Sequence, residues 1–330
     1  MQGFDLINGT TQAQHSVMVL NIDAELNKCI YARLCRLYKP VSEEAEPVYA
    51  EDGSEITPPR ETYNAAVLVC NYRTGELLGM VSTPSVDPLE SDAEPAEGAY
   101  INRCLSAAFT PGSVFKLVTS AAAIENIPDL FDEGFYCEGK TEIAGVPITC
   151  KTPHGQQNFE QALANSCNCT FAALAVRLGQ DTMVDYVREY GFLDRQSLDG
   201  ITTAAGNYPT EFVGDPEIGW SGIGQSTDLV CPYSMLRFVC AVANGGVLIE
   251  PKLINDGTQS VAERYMDSAT ASRLRQLMSY NAVTAYDAEH NFPGLNICAK
   301  TGTAEVGDGA SNAWFVGFLD DEEHPYAFVT

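Results

Sequence analysis

Ser113-Val-Phe-Lys116 sets a serine and a lysine three residues apart, and that spacing already carries chemistry. On a helix, positions i and i+3 share a face, so the lysine amine can reach the serine hydroxyl. The stretch from Ser113 to Glu125 is apolar nearly all round, and such a helix belongs inside a fold. Burial disfavours the ammonium form, so Lys116 is expected to act as a neutral base that makes Ser113 a nucleophile. Pro111-Gly112 places the serine at the helix N-terminus, where free backbone N–H groups can steady an oxyanion. Alone the pair is a weak filter, since about 0.4 matches arise by chance at this composition.

Ser166-Cys-Asn168 is a weaker S-x-N pattern, and a second copy occurs at Ser279-Tyr-Asn281. Context separates them. Residues 165–175 lead from a polar loop into an apolar helix, so Ser166 and Asn168 can project into a cleft, whereas Ser279 follows a helix of solvated appearance. Lys300-Thr301-Gly302, extended by Thr303, is the most specific of the three, with about 0.04 chance matches. It is expected to end an apolar strand, with Lys300 and the threonine hydroxyls at a rim suited to a carboxylate and Gly302 admitting another backbone. The three stand 53 and then 134 residues apart, in the order S-x-x-K, S-x-N, K-T-G. Their joint chance expectation is about a hundredth.

The elements that must position these residues follow from apolar patterning. Ser16 to Ile22 is expected as a strand, followed by a helix capped by Asp23 with Leu26, Ile30, Leu34 and Leu37 on one face. Residues 39–62, with four prolines and seven acidic residues, form the clearest linker. Residues 64–71 and 77–82 are expected as a hairpin turning at Arg73-Thr-Gly-Glu. Helices are expected over 159–178, 181–191, 228–243 and 268–279, then a strand over 293–300 and a last hairpin from Ala313-Trp-Phe-Val-Gly-Phe-Leu to Tyr326-Ala-Phe-Val. Strands at both ends with helices between imply one antiparallel sheet closed late in the chain around an inserted helical region. The division is 1–62, a strand–helix segment and linker, and 63–330, the main domain.

Composition excludes several functions. The 330 residues are 45% apolar, ordinary for a globular fold, but 19 basic against 44 acidic residues give a net charge of −25. Such a surface repels nucleic acid and anionic lipid. No stretch approaches the roughly 18 continuous apolar residues of a membrane span, and Met1-Gln-Gly-Phe-Asp lacks a signal peptide's basic start, so a soluble acidic body is expected. Eleven cysteines include no CxxC or Cys/His spacing typical of a metal site, and no metal or cofactor is expected. Cys137 and Cys150 flank a segment able to fold as a hairpin and bring them together. Pairing is not fixed by sequence, and buried thiols acting as small apolar residues are the expectation for most.

The ordered motifs match the signature shared by serine β-lactamases and penicillin-binding proteins. The chain resembles the transpeptidase domain of class B penicillin-binding proteins, the D,D-transpeptidases that cross-link peptidoglycan. The likeness extends to Val19-Leu-Asn-Ile-Asp-Ala-Glu-Leu-Asn, to the hairpin from Ala65 to Pro88, to Asn102-Arg before Phe109-Thr-Pro-Gly, and to His154-Gly, Gly222-Ile-Gly-Gln and Ala243-Asn-Gly-Gly. It covers residues 16–330, with 39–62 the least typical part. The fold it implies is α/β (α+β), β-lactamase/transpeptidase-like, with an antiparallel five-stranded sheet flanked by helices plus an all-helical subdomain.

The resemblance also implies roles. Ser113 would attack the penultimate D-Ala carbonyl of a stem peptide with Lys116 as base, and an amine from a neighbouring strand would capture the acyl-enzyme. Ser166 would relay a proton to the leaving amine, and Asn168 would orient Lys116 and the substrate amide. Lys300, Thr301 and Thr303, with Gly302 between them, would hold the terminal carboxylate, and the N–H groups of Ser113 and Thr303 would form the oxyanion hole. β-Lactams would acylate Ser113. Partner glycosyltransferases would dock through regions outside this chain, whose native form would be tethered on the extracytoplasmic face of the bacterial cytoplasmic membrane. The family's C-terminal helix, expected after Ala327-Phe-Val-Thr330, is missing, which would expose an apolar sheet face and weaken the fold. Cys167, beside Ser166, would be open to oxidation. A class A β-lactamase is disfavoured because no E-x-x-L-N element follows the S-x-N motif; a D,D-carboxypeptidase or a β-lactam sensor of the same fold remains an alternative.

Overall fold

Alternating burial along five strands builds one antiparallel sheet: β1 (Ala65–Asn71), β2 (Leu77–Thr83), β3 (Ile297–Glu305), β4 (Ser311–Leu319) and β5 (Tyr326–Val329). The computed structural model describes residues 18–37, 63–86, 95–307 and 310–330, and the backbone pairing of Val48–Tyr49 with Glu55–Ile56. The strand order is β3-β4-β5-β1-β2, so β5 joins the two ends of the chain. Neighbouring residues point to opposite faces. Cys298, Val316, Phe318, Ala327 and Val329 enter the main core, while Ile297, Ala299, Phe315, Leu319 and Phe328 join a second cluster on the other face.

Five helices matter for the site: α1 (Ala24–Leu34), α2 (Lys116–Asn126), α3 (Asn168–Leu178), α4 (Pro232–Ala243) and α5 (Ser268–Tyr286). Helix α4 is buried at every position and packs on β1, β4 and β5. Each large side chain it hides, such as Leu236, Phe238 and Val239, contributes about 1.5–3 kcal/mol of burial. Ala282 and Tyr286 of α5 close the second cluster. Helix α1 buries none of its residues; it is held by Asn27, which accepts from Met80 N at 3.0 Å and donates to Leu78 O at 2.8 Å along β2.

The expected antiparallel sheet, its two hairpins and the inserted helices are all present. Several boundaries differ. The apolar run before Asp23 makes one bridge, Leu20 to Ile254, rather than a strand, and Met18 to Leu20 stay exposed; residues 16 and 17 lie outside the described residues. The helix expected from 228 starts at Pro232, which lacks the N–H an interior position needs, and Leu229 and Val230 bridge to Asn207 and Phe109 instead. The helix expected to stop at 279 runs to Tyr286, which puts Ser279-Tyr-Asn281 inside α5; there Asn281 is buried and donates to Ala299 O at 2.6 Å. The strand expected over 293–300 covers Ile297–Glu305, because β4 pairs with it along its whole length. Most of the 39–62 linker lies outside the described residues.

Candidate active site

Ser113 does not sit on an α-helix. Gly112–Phe115 is a 3-10 turn leading directly into α2 at Lys116. With three residues per turn, positions i and i+3 eclipse, so the turn aligns the pair more closely than an α-helix would. Lys116 Nζ lies 3.0 Å from Ser113 Oγ. Gly112 makes the turn possible: its φ is +55°, and a Cβ there would sit 2.6 Å from Thr303 O. Strand β3 crosses this turn backbone to backbone, since a Cβ on Gly302 would meet Pro111 O at 2.6 Å. Trp314 of β4 fixes the approach by donating from Nε1 to Thr110 O at 2.9 Å.

The single helix expected over 159–178 is broken, and the break builds the second motif. A short helix, Phe159–Ala164, starts on an Asn158–Gln161 capping box and stops before Ser166, whose φ is +50°. A left-handed serine costs on the order of 1–3 kcal/mol unless its surroundings hold it. Here they do: Lys116 Nζ donates to Ser166 O at 2.7 Å and lies 3.1 Å from Ser166 Oγ. Cys167 N–H returns to Ala162 O, and Asn168 then opens α3. Asn168 Oδ1 accepts from Lys116 Nζ at 2.7 Å while its Nδ2 donates to Thr149 O at 2.8 Å.

Lys300 comes in from β3, with Nζ 3.1 Å from Ser166 Oγ. Thus Ser113, Lys116, Ser166, Asn168 and Lys300 form one connected cluster, with the Ser166 hydroxyl between two amines. The K-T-G motif lies in mid-strand rather than at a strand's end. Alternation buries Lys300 and Gly302 and leaves the Thr301 and Thr303 side chains exposed. Thr301 meets a residue that no sequence spacing signalled, Tyr286 at the last turn of α5. The Tyr286 hydroxyl accepts from Thr301 N at 2.7 Å and lies 2.9 Å from Thr301 Oγ1. Because Thr301 N points off the free edge of the sheet, Thr303 N, two residues on, points the same way.

The electrostatics follow from burial. Lys116 is fully buried, which holds its pKa well below the ordinary lysine value, and the neighbouring Lys300 lowers it further. Burial alone pushes Lys300 down to about 7. A neutral amine has two N–H donors and one lone pair. Ser166 O and Asn168 Oδ1 can only accept, so they take both donors of neutral Lys116, and its lone pair is left for the Ser113 hydroxyl. The cluster can therefore remove the proton from Ser113 as its oxygen attacks an acyl carbon.

Most of the cysteines are buried free thiols, as expected. Cys137 and Cys150 are brought together by the hairpin of Lys140–Ile143 with Val146–Thr149, but both are free thiols with sulfurs 3.8 Å apart. Cys167 is fully buried and its thiol is pushed up to about 11, first by the Cys150 sulfur and then by burial, so it lacks the exposed thiolate that oxidation favours. The fold also gathers Cys137, Cys150, His154 and Cys167 into the kind of Cys/His cluster that their spacing in sequence does not betray.

The family described as "Penicillin binding protein transpeptidase domain" matches residues 65–330. Stage V sporulation protein D of Bacillus subtilis is 31% identical over 270 residues, covering 76% of this chain and 41% of that protein. Peptidoglycan D,D-transpeptidase PbpA of Mycobacterium tuberculosis is 27% identical over 296 residues, covering 77% and 58%. The chain spans about half the length of these curated relatives. A solved structure of penicillin-binding protein A from M. tuberculosis, a ceftriaxone acyl-enzyme complex, superposes with a TM-score of 0.78 at 21% identity, over 99% of this chain and 76% of that one.

Proposed function

The chain belongs to the penicillin-binding protein transpeptidase domain family, and from that premise we propose that it is a peptidoglycan D,D-transpeptidase working through a Ser113 acyl-enzyme. The observation that carries this reading is the bonding of Lys116, whose two carbonyl-type acceptors leave its lone pair for Ser113. Ser113 Oγ attacks the penultimate D-Ala carbonyl of a stem peptide as its proton passes to Lys116 Nζ. The N–H groups of Ser113 and Thr303 take the oxyanion. As the C–N bond breaks, Ser166 delivers the proton to the leaving D-Ala amine. An amine from a second stem peptide then attacks the ester, and Ser113 recovers its proton.

Asn168 holds Lys116 through Oδ1 and, with one Nδ2 hydrogen given to Thr149 O, has its second for the substrate amide carbonyl. The terminal carboxylate lies along the free edge of β3, at Lys300, Thr301 and Thr303, with Tyr286 bracing Thr301. A β-lactam, which carries the same carboxylate and a strained amide, acylates Ser113 by the same steps. Its substrate places the enzyme on the extracytoplasmic face of the cytoplasmic membrane, and glycosyltransferases that make the glycan strands are the proposed partners. Among the described residues no helix is long and apolar enough to cross a membrane.

Intact-protein mass after incubation with benzylpenicillin tests the reading, beside a Ser113→Ala control. The expected outcome is a stable one-to-one adduct that the variant lacks. A transient adduct with hydrolysed drug accumulating would mean a β-lactamase. No adduct on a protein with a cooperative melt would overturn the proposal.

A further inference from the structure

The loop that carries Ser166 and Asn168 also carries Cys167 between them, and Cys167 points away from the acyl-transfer cluster into a second one. Cys150 Sγ lies 3.8 Å from both Cys137 Sγ and Cys167 Sγ. The ligand atoms of Cys137, Cys150, Cys167 and His154 all fall within 4.8 Å of one another. His154 Nδ1 is buried and has no hydrogen-bond partner among the described residues. We propose that these three cysteines and His154 bind one zinc ion, a structural site that clamps the 137–154 segment to the S-x-N loop.

The distances suit the ion. Zinc bound by thiolates at about 2.3 Å in a tetrahedron sets the sulfurs about 3.8 Å apart. Three sulfurs and an imidazole are a donor set that favours zinc over hard, oxygen-seeking cations. Two neighbours already donate toward the sulfurs, Gly139 N–H to Cys137 Sγ at 3.4 Å and Thr170 Oγ1 to Cys167 Sγ at 3.3 Å, as outer partners of a thiolate should. Cys169 lies 3.5 Å from Cys150 but turns its thiol to Ile148 O, so it stands outside the set.

Uptake is a proton exchange. Three thiols and a neutral imidazole bind Zn²⁺, three protons leave, and the resulting centre carries a single negative charge, so affinity falls as pH falls. The consequence for the neighbouring site is mechanical. Asn168 Nδ2 bonds Thr149 O in the clamped segment, and Ser166 occupies a left-handed turn next to a metal ligand. The ion would hold both in register with Lys116. This consequence rests on the acyl-transfer reading above, whereas the metal site itself does not.

The test is metal content, read without any activity. Protein made in zinc-supplemented medium and purified reduced, without chelators, should carry about one equivalent of zinc by mass spectrometry. Cys150→Ser and His154→Ala should each lose most of it, while Cys169→Ser and Cys29→Ser keep it. Cobalt in place of zinc should give the intense thiolate charge-transfer and visible bands of a tetrahedral site. Folded, reduced wild-type protein that takes up neither metal overturns the proposal. So does a peptide map showing Cys150 bridged to Cys137 or Cys169 in protein offered zinc, or loss of zinc in Cys169→Ser alone. If Cys150→Ser fails to fold, the wild-type metal count and cobalt spectrum decide.

Discussion

At the scale of single residues the site is a contest over protons between two buried lysines. In the proposed mechanism Lys116 must be neutral to take the Ser113 proton, and burial first and Lys300 next hold its pKa well below the ordinary lysine value, which favours that form. Burial brings Lys300 down to about 7, and its proposed role, attracting a carboxylate, needs the charged form. Acylation by a carboxylate-bearing β-lactam should therefore rise with pH as Lys116 deprotonates and fall again through about 7 as Lys300 loses its charge. Lys300→Arg keeps the cation at all accessible pH values and should remove the alkaline fall while leaving the acid limb. Lys116→Arg cannot become neutral, so acylation should drop by about 10²–10⁴-fold with the fold intact. Stopped-flow acylation across pH checks both, and an alkaline limb unchanged in Lys300→Arg would sink the assignment. The S-x-x-K pair was legible because its geometry is local. Tyr286 was not, because it meets Thr301 only through the packing of α5 on β3.

Elements decide where those residues stand. The turn at Gly112 passes beneath β3 with no room for a side chain on either backbone. Gly112→Ala places a methyl 2.6 Å from Thr303 O and forces alanine to φ +55°. It should push the strand off the turn, lower the melting temperature, and slow acylation by about 10²-fold, as a displacement near 1 Å does. Acylation within threefold of wild type would show that this contact does not position Ser113. The hairpins and the apolar α2 were legible because period-2 and all-round apolar patterns are local signals. The interruption at Ser166 was not. Serine disfavours a positive φ, and the contacts that hold it there come from Lys116, fifty residues away in the chain. Likewise Cys137, Cys150, His154 and Cys167 share no standard spacing; a hairpin and a broken helix converge to gather them.

The whole molecule carries a formal charge of −25, with 44 acidic residues against 19 basic. Self-repulsion on that scale opposes compactness, and salt screens it. Raising ionic strength from about 0.01 M to about 0.15 M shortens the Debye length from about 30 Å to about 8 Å and should raise the melting temperature by several degrees. A melting temperature that falls with salt would mean that specific ion pairs outweigh the net charge. The sheet has a further consequence, one of timing. Its middle strand, β5, is the latest of the five in sequence, yet it alone joins the β3-β4 pair to the β1-β2 pair. As the chain emerges from the ribosome, Ser113 and Lys116 come out long before Lys300, and the sheet that unites them closes only when residues 326–329 arrive. A nascent chain therefore cannot complete the sheet that unites these residues until synthesis has passed that strand, and the proposed nucleophile is parted from Lys300 until then.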